Sequence, residues 1–591
     1  MAGGLAAKRR FQLILIKPSH YDDDGYVVQW MRSFMPSNSL AALCGLALDA
    51  RARRVLGPDV EIEVTPIDET NTRIKPQRII TQIARHGGFG LVGLVGVQSN
   101  QYPRALDIAR PLRAAGVPVV IGGFHVSGCL AMLDGIGPDL QAALDIGASL
   151  FAGEAEDRLD GLLRDAASGS LQPIYNFLND LPAIAQAPVP FLLRKHVKRT
   201  MGDYSTFDAG RGCPYQCSFC TIINVQGRKS RSRSPDDVER IIRQNWAERI
   251  HRFFITDDNL ARNSAWEPIL DRIIELGTKE LIHVSLTIQV DALCHKIPNF
   301  IDKCAKAGVT HVFIGIENIN PDNLLGAKKR QNRITEYRNL LLAWKTRGII
   351  TYAGYILGFP NDTPETIARD IAIIQRELPI DVMEFFCLTP LPGSEDHRIL
   401  RRRGIAMDPD LNKYDTEHAV TAHAKMSRQQ WEDIYRKAWD LYYTSAHIER
   451  IMRRTGATGG NLSSLVGTLL HYSLYTALEN VHPLQGGLVR LKYRRDRRPG
   501  LPIEPAWRFY PKYVGDNLAK WMRVAKAARR VYRLKRIVKS DPDRWSYTDR
   551  AMTPASDDDL VSLELFNQNE AARHAVAHER RVRELTGAAT R

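Results

Sequence analysis

The chain has no run approaching the roughly 20 consecutive apolar residues that cross a bilayer, which argues against a membrane-spanning protein. Cysteine is scarce: eight residues in 591 are too few for a disulfide scaffold, so a reducing compartment is expected. Internal repeats and long low-complexity tracts are also missing, and a chain this long is then expected to hold two to four globular domains. Residues 1–10 are small and basic, and the apolar stretch behind them, 11–16, is too short for a signal-peptide core and reads as a strand. A cytoplasmic location follows as the expectation. What the chain has in excess is positive charge, 81 Lys and Arg against 66 Asp and Glu. That balance fits an anionic partner (nucleic acid, membrane surface or acidic substrate) or serves solubility alone.

Along the first 165 residues, short apolar runs at 11–16, 61–66, 91–97, 117–121 and 148–152 alternate with helical patterns at 40–50, 76–85 and 103–115. Ser37-Asn38-Ser39 is the expected helix start before the first of these. Five such alternations predict an α/β domain built on a doubly wound parallel sheet, with ligands beyond the carboxyl ends of its strands. A proline-bearing linker is expected over 166–200. A second series of strand–helix units follows over 201–400, with strands at 206–209, 253–256, 283–286, 311–316, 352–357 and 382–388. Six parallel units predict a partial (β/α)6 barrel. Residues 401–591 read as mainly helical and basic, ending in an acidic stretch at 557–559 and a helical tail.

Three cysteines stand out. Gly210-Arg211-Gly212-Cys213-Pro214-Tyr215-Gln216-Cys217-Ser218-Phe219-Cys220 follows the first strand of the second series, where barrels keep their chemistry. Thiolates spaced C-x3-C-x2-C reach three corners of one cubane cluster and leave the fourth iron without a protein ligand. Clusters that only carry electrons normally use four thiolates, so an open iron suggests that a substrate coordinates there. A zinc site would want a fourth Cys or His at typical spacing, and none follows closely. The remaining cysteines, Cys44, Cys129, Cys294, Cys304 and Cys387, read as small buried residues.

This segment resembles the signature of the radical S-adenosylmethionine (SAM) superfamily, with Phe219 as the aromatic residue before the last cysteine. Four further stretches agree in order. Thr256-Asp257-Asp258-Asn259 stands where the family binds the methionine amino group. Gly315-Ile316-Glu317-Asn318 is similar to the fourth-strand motif. Gly354-Tyr355-Ile356-Leu357-Gly358-Phe359-Pro360-Asn361-Asp362 is similar to the adenine-contacting fifth strand, with Asp362 where many members have Glu. Thr389-Pro390-Leu391-Pro392 is similar to the end of the sixth. The resemblance implies a 4Fe-4S cluster on Cys213, Cys217 and Cys220, and SAM contacts from Asp257, Asp258, Glu317, Gly354 and Gly358. Gln289 and Asp291 are candidates for the ribose. Taken alone, Asp257, Asp258 and Glu317 at strand ends could also be helix caps or solvated ions, the lesser reading for each. No side chain is assigned a catalytic role.

The sheet domain before such a barrel is similar to the cobalamin-binding domain of one group of these enzymes, giving a Rossmann-like domain, a barrel and a helical C-terminal region in sequence. The matching residues are Ser99, the Gly122-Gly123-Phe124-His125 loop and Gly153-Glu154-Ala155-Glu156, the last departing from the usual Gly-Glu-Gly-Glu. Ser99, Gly122, Gly123 and His125 are therefore the expected cobalamin contacts. The Asp-x-His-x-x-Gly stretch that supplies an axial histidine in cobalamin mutases is absent, so His125 is expected to touch the loop or nucleotide tail and not the cobalt. The resemblance implies a methyltransferase that acts on an unactivated carbon of a small-molecule or lipid substrate, fed by an electron donor such as flavodoxin or ferredoxin. Ring formation or rearrangement without methyl transfer is the alternative. RNA methylthiolation would need three more N-terminal cysteines, and a non-catalytic redox or cobalamin sensor would not need the barrel motifs, so nucleic acid is not the expected partner. The basic run from Arg490 to Arg498 and a basic amphipathic helix at 517–538 make an anionic membrane surface a candidate partner, with peripheral localisation, although packing against the protein's own body accounts for such a helix equally well.

Overall fold

The computed structural model describes residues 9–556 and 559–589; residues 1–8, 557 and 558 of the basic and acidic termini read above lie outside it. Strand β1 (Arg9–Lys17) sends Phe11, Leu13 and Leu15 into one core and Ile14 and Ile16 into another. A strand buried on both faces must be apolar on both, which is why it reads as a continuous run. The chain leaves the sheet for β2 (Gln29–Ser33) and returns through β3 (Val60–Asp68), β4 (Gly90–Leu94), β5 (Val119–Gly122), β6 (Ser149–Ala152) and β7 (Ile174–Asn176). All six strands of this sheet are parallel, in the order β3-β1-β4-β5-β6-β7. The order reverses between β1 and β4, and open α/β sheets bind ligands at such a reversal. The sheet has one strand more than the sequence suggested. Strand β7 lies in the stretch read as linker, because three residues are too short to display a period.

The second sheet begins at β8 (Tyr204–Phe207). A short hairpin of β9 (Gly210–Arg211) and β10 (Arg231–Ser232) follows, and β11 (Arg252–Ile255), β12 (Ser285–Val290), β13 (Val309–Glu317), β14 (Ile350–Leu357) and β15 (Val382–Cys387) complete the sheet. These six main strands are parallel and in chain order from β8 to β15, the connectivity of a partial (β/α)6 barrel. Strand β12 starts two residues later than expected, since its buried alternation is Leu286, Ile288, Val290.

The C-terminal helices share the barrel's core: Tyr472, Val531, Leu534 and Leu565 belong to the same buried cluster as Ile288 and Phe385. The helix Leu462–Glu479 buries one face, with Leu465, Val466, Leu469 and Tyr472 turned into this core. Strand β16 (Gly487–Leu491) pairs antiparallel with β2, so the C-terminal region also reaches back to the first domain. The basic run is consumed there. Arg490 and Lys492 pair with Asp22 at 2.9 and 2.8 Å, and Arg498 pairs with Asp410 at 2.7 Å. The basic helix, expected over 517–538, runs from Ala506 to Ser540, with Pro511 inside its first turns. No helix among the described residues is long and apolar enough to cross a membrane.

Candidate active site

Between β9 and β10 the chain makes the cysteine loop. Gly212 opens it at φ +89°, and a Cβ there would lie 2.5 Å from the Lys229 carbonyl, so the position demands glycine twice over. Cys213 is tied to the far side of the loop by its amide, which donates to Gly227 O at 3.3 Å. The Ser218 amide donates to Ala327 O at 3.0 Å, and Phe219 packs on the cluster of Ala327, Ile356 and Phe359. The aromatic residue before the last cysteine is thus an anchor that fixes the loop on the barrel. Cys217 is buried and its sulfur accepts from Gln331 Nε2 at 3.5 Å, while Cys213 and Cys220 are partly open. Burial pushes the Cys213 thiol up to about 11 and Cys220 up to about 12. Free thiols here stay protonated at neutral pH, and a bound metal ion is what converts such groups to thiolates. Three thiols on one loop, held in place against the barrel, fit a three-thiolate cluster. The other five cysteines lie buried in three separate hydrophobic cores.

The acidic residues after β11 divide. Asp257 Oδ1 accepts from the Ala209 and Gly210 amides at 2.6 and 2.7 Å, and Oδ2 from Asn263 Nδ2 at 2.9 Å. It props up the backbone entering the cysteine loop. Asp258 is half-buried and its charge is felt by Cys213 and Cys220; burial pushes its carboxyl up to about 7, with the Gly212 amide partly opposing. Glu317 sits at φ +63°, where the β13–β14 register shifts, and its carboxylate pairs with Lys329. Burial opposes the Lys329 charge, but Glu317, Cys217 and Cys220 outweigh it and hold the ammonium above the ordinary lysine range. Lys329 Nζ also lies 5.8 Å from the Phe219 ring. Asp258, Glu317 and Lys329 therefore gather around the thiols.

The other expected SAM positions are engaged in packing. Asp291 accepts from Arg262 Nε at 2.6 Å, Asn259 Nδ2 at 2.9 Å and Tyr215 Oη at 3.2 Å, a bracket from β12 to the cysteine loop. Gln289 donates to Asp257 O at 3.3 Å. A Cβ on Gly354 would lie 2.9 Å from the Phe313 ring, and one on Gly358, at φ +102°, would fall 1.9 Å from Trp431. Asp362 caps the turn after β14, accepting from the Gly358 and Phe359 amides at 2.9 and 3.0 Å.

In the first domain a cavity of about 190 Å3 opens at the order reversal of the sheet. Leu13 and Leu15 of β1, Leu91 and Gly93 of β4 and Phe151 beyond β5 form its apolar walls. Its rim is polar. Ser37 caps the helix Asn38–Ala52, its Oγ accepting from the Leu40 amide at 3.3 Å, and so sets Asn38 and Ser39 at the mouth. Gly122 and Gly123 line the cavity, and a Cβ on Gly123 would meet Val97 N at 2.2 Å. Ser99 and His125 do not line it. His125 is buried, with Nδ1 3.1 Å from Ser99 Oγ and Nε2 2.7 Å from Asp139, so it holds the loop from behind. An apolar cavity with small residues and hydroxyls at its mouth suits the nucleotide tail of a corrinoid.

One group was not anticipated from the sequence. Arg211, two residues before Cys213, lines this same cavity. Its guanidinium binds Asp208 at 3.0 Å, Glu154 at 2.7 Å and Glu156 at 2.7 Å, all buried. Arg231 pairs with Glu154, and Arg233 lies 3.3 Å from Asp208. Three guanidiniums balance three carboxylates in a network that joins the loop after β6 to the cysteine loop. The signal available was the acidic Gly-Glu-Ala-Glu loop facing an arginine inside a glycine-flanked motif, but only the fold puts them together.

A partial barrel of six parallel strands with three thiols on its first loop is the layout that the sequence motifs imply. Residues 209–374, which hold the cysteine loop, match the family model of the Radical SAM superfamily. More narrowly, the chain is similar to methyltransferases. It shares 26% identity over 397 residues with bacteriochlorophyllide d C-12(1)-methyltransferase of Chlorobaculum tepidum, covering 66% of this chain and 81% of that protein. With hopanoid C-2 methylase of Rhodopseudomonas palustris it shares 24% over 381 residues, covering 63% and 68%. Among solved structures, the cobalamin-dependent S-adenosylmethionine radical enzyme OxsB with aqua-cobalamin bound aligns with 96% of this chain and 84% of its own, at 14% identity and a TM-score of 0.48.

Proposed function

We propose that this protein is a cobalamin-dependent radical SAM methyltransferase that methylates an unactivated carbon of a small-molecule or lipid substrate. The observation that carries this reading is the shared wall: Arg211 lines the sheet-domain cavity and leads into the cysteine loop two residues later. A methyl carrier and a radical source must address the same substrate atom, and one continuous segment between their two sites supplies that proximity.

When bound, the cluster and SAM supply the radical, and the corrinoid supplies the methyl group. Cys213, Cys217 and Cys220 would hold the cluster and leave one iron free. Asp258 and Glu317, the acidic groups beside the thiols, are the receptors for the amino end of SAM, with Lys329 fixing Glu317 in place. Ser39, Gly122, Gly123 and Ser127 would line the corrinoid tail. Asp257 and Asp291 hold the loops in place, and Phe219 anchors the cysteine loop on the barrel. An external one-electron donor such as flavodoxin or ferredoxin belongs to this reading, as does a cytoplasmic enzyme peripheral to an anionic membrane.

Anaerobic purification from cells supplied with cobalamin tests the proposal. About four irons and one cobalt per chain, followed by two SAM consumed per methylated product, are expected. Iron without cobalt, or one SAM per product with no methyl gained, would replace methyl transfer by ring formation or rearrangement.

A further inference from the structure

The helix Ala506–Ser540 has two apolar faces. One face packs: Phe509, Ala527, Val531, Leu534 and Val538 are buried against the body. The other carries Trp507, Tyr510, Val514, Leu518, Trp521 and Met522, spaced by three or four residues except for the last adjacent pair. At 100° per residue these fall within one third of the circumference, opposite the buried set. Every one of them is exposed, Trp507 by 78%, Leu518 by 60% and Met522 by 67%. Leu501 and Ile503, just before the helix, are exposed too and lengthen the stripe. A surface helix ordinarily turns polar residues outward, so an outward apolar stripe needs an occupant.

Charge decides which. Arg508, Lys512, Arg523, Lys526, Arg529, Arg533, Arg536 and Lys539 are all exposed on this helix, and none takes part in an ion pair among the described residues. Asp516 is the helix's single acid. A second copy of the chain docking through an isologous contact would bring two such basic rows together and repel itself. An anionic bilayer accepts both features at once: aromatic and aliphatic side chains enter the headgroup boundary while flanking lysines and arginines meet lipid phosphates. Trp and Tyr are the side chains that favour that boundary.

We infer that the Ala506–Ser540 helix docks the enzyme on an anionic membrane surface through the Trp507–Met522 stripe. This deepens the peripheral-membrane part of the proposed function and stands apart from its chemistry, because none of these residues touches the cysteine loop or the sheet-domain cavity. The test is flotation of the full-length protein with vesicles of phosphatidylcholine alone or with one-third phosphatidylglycerol. Flotation with the anionic vesicles is expected, weakened by high salt and at least roughly tenfold weaker in Leu518→Asp/Trp521→Asp. A second variant, Arg523→Glu/Lys526→Glu, should lose the salt-sensitive part. Both pairs are solvent-facing, so unchanged melting curves are expected and confirm folding. SAM cleavage in solution should be untouched by Leu518→Asp/Trp521→Asp, which separates failure of docking from failure of the methyltransferase reading. Protein that ignores anionic vesicles, that floats equally with both vesicle types, or that sediments as a dimer split by Leu518→Asp/Trp521→Asp overturns the inference.

Discussion

Replacing Arg211 by Met removes one of three guanidiniums from the buried network and leaves Glu156 without its ionic partner. Burial opposes ionisation of Glu156 and of Asp208, but Arg211 with a backbone hydrogen bond at Glu156, and Arg211 together with Arg233 and Asn38 at Asp208, outweigh it, so both carboxyls sit below their usual range. Breaking such a pair on one side costs about 3–5 kcal/mol, because the stranded charge stays in the low-dielectric interior. For a unit the size of the sheet domain that corresponds to a fall of roughly 6–20 °C in melting temperature. The pH dependence carries a sign. In the wild type the depressed carboxylates contribute stability that is present above their unfolded range near pH 4 and lost as pH falls through the lower folded values. In Arg211→Met burial acts on Glu156 unopposed, so the deficit is full near neutral pH and shrinks below about pH 5. Adding Glu156→Gln should restore part of the loss, making the double variant more stable than Arg211→Met alone. Thermal melts across pH 3–8, with limited proteolysis of the sheet domain, provide the measurement. A variant within about 1 kcal/mol of wild type, a deficit independent of pH, or strictly additive effects would refute the reasoning.

Single Ala substitutions at Cys213, Cys217 and Cys220 should each bring iron content close to zero after anaerobic reconstitution, whereas Ala at the buried Cys44 should leave it unchanged. Gly123→Ala places a methyl group 2.2 Å from Val97 N at a φ of +147°, and should cost roughly 1–3 kcal/mol together with loss of corrinoid uptake measured by absorbance. Glu384 is buried beside Tyr472, and burial pushes its carboxyl up to about 8. The folded state then holds a proton that the unfolded state gives up, so stability should fall as pH rises from about 4.5 to about 8. Glu384→Gln should flatten that slope by several kcal/mol; parallel melting curves for the two proteins from pH 5 to 9 would contradict it.

The two parallel sheets were readable because strands buried on both faces leave continuous apolar runs, and the cysteine loop because its spacing is rare. The start of the helix Asn38–Ala52 was readable too, through the hydroxyl cap at Ser37. Strand β7 was not, for want of length, and β2 with β16 was not, because antiparallel pairing between distant segments leaves no local period. The expected site residues share one limitation. A motif identifies a position but not whether its side chain faces a ligand or the backbone. Asp257 and Asp258 are adjacent in sequence, yet one carboxylate holds two amides and the other lies beside the thiols. Gly354 and Gly358 make room for Phe313 and Trp431, aromatic partners from outside the motif. Arg211 was invisible because two of its three carboxylate partners, Glu154 and Glu156, come from another domain.

The pairing of β2 with β16 has a consequence for how the protein is made. Asp22 and Arg490, which close that contact, stand 468 residues apart in the chain. A ribosome adding about 5–20 residues per second would leave the early segment waiting roughly half a minute or longer for its partner. During that interval β2 is an open edge, and Asp22, Asp23 and Asp24 repel other acids where their basic partners will later sit. Charge beside an unpaired strand edge disfavours wrong pairing, which is what the acidic loop offers β2 until β16, in about the last fifth of the chain, is made.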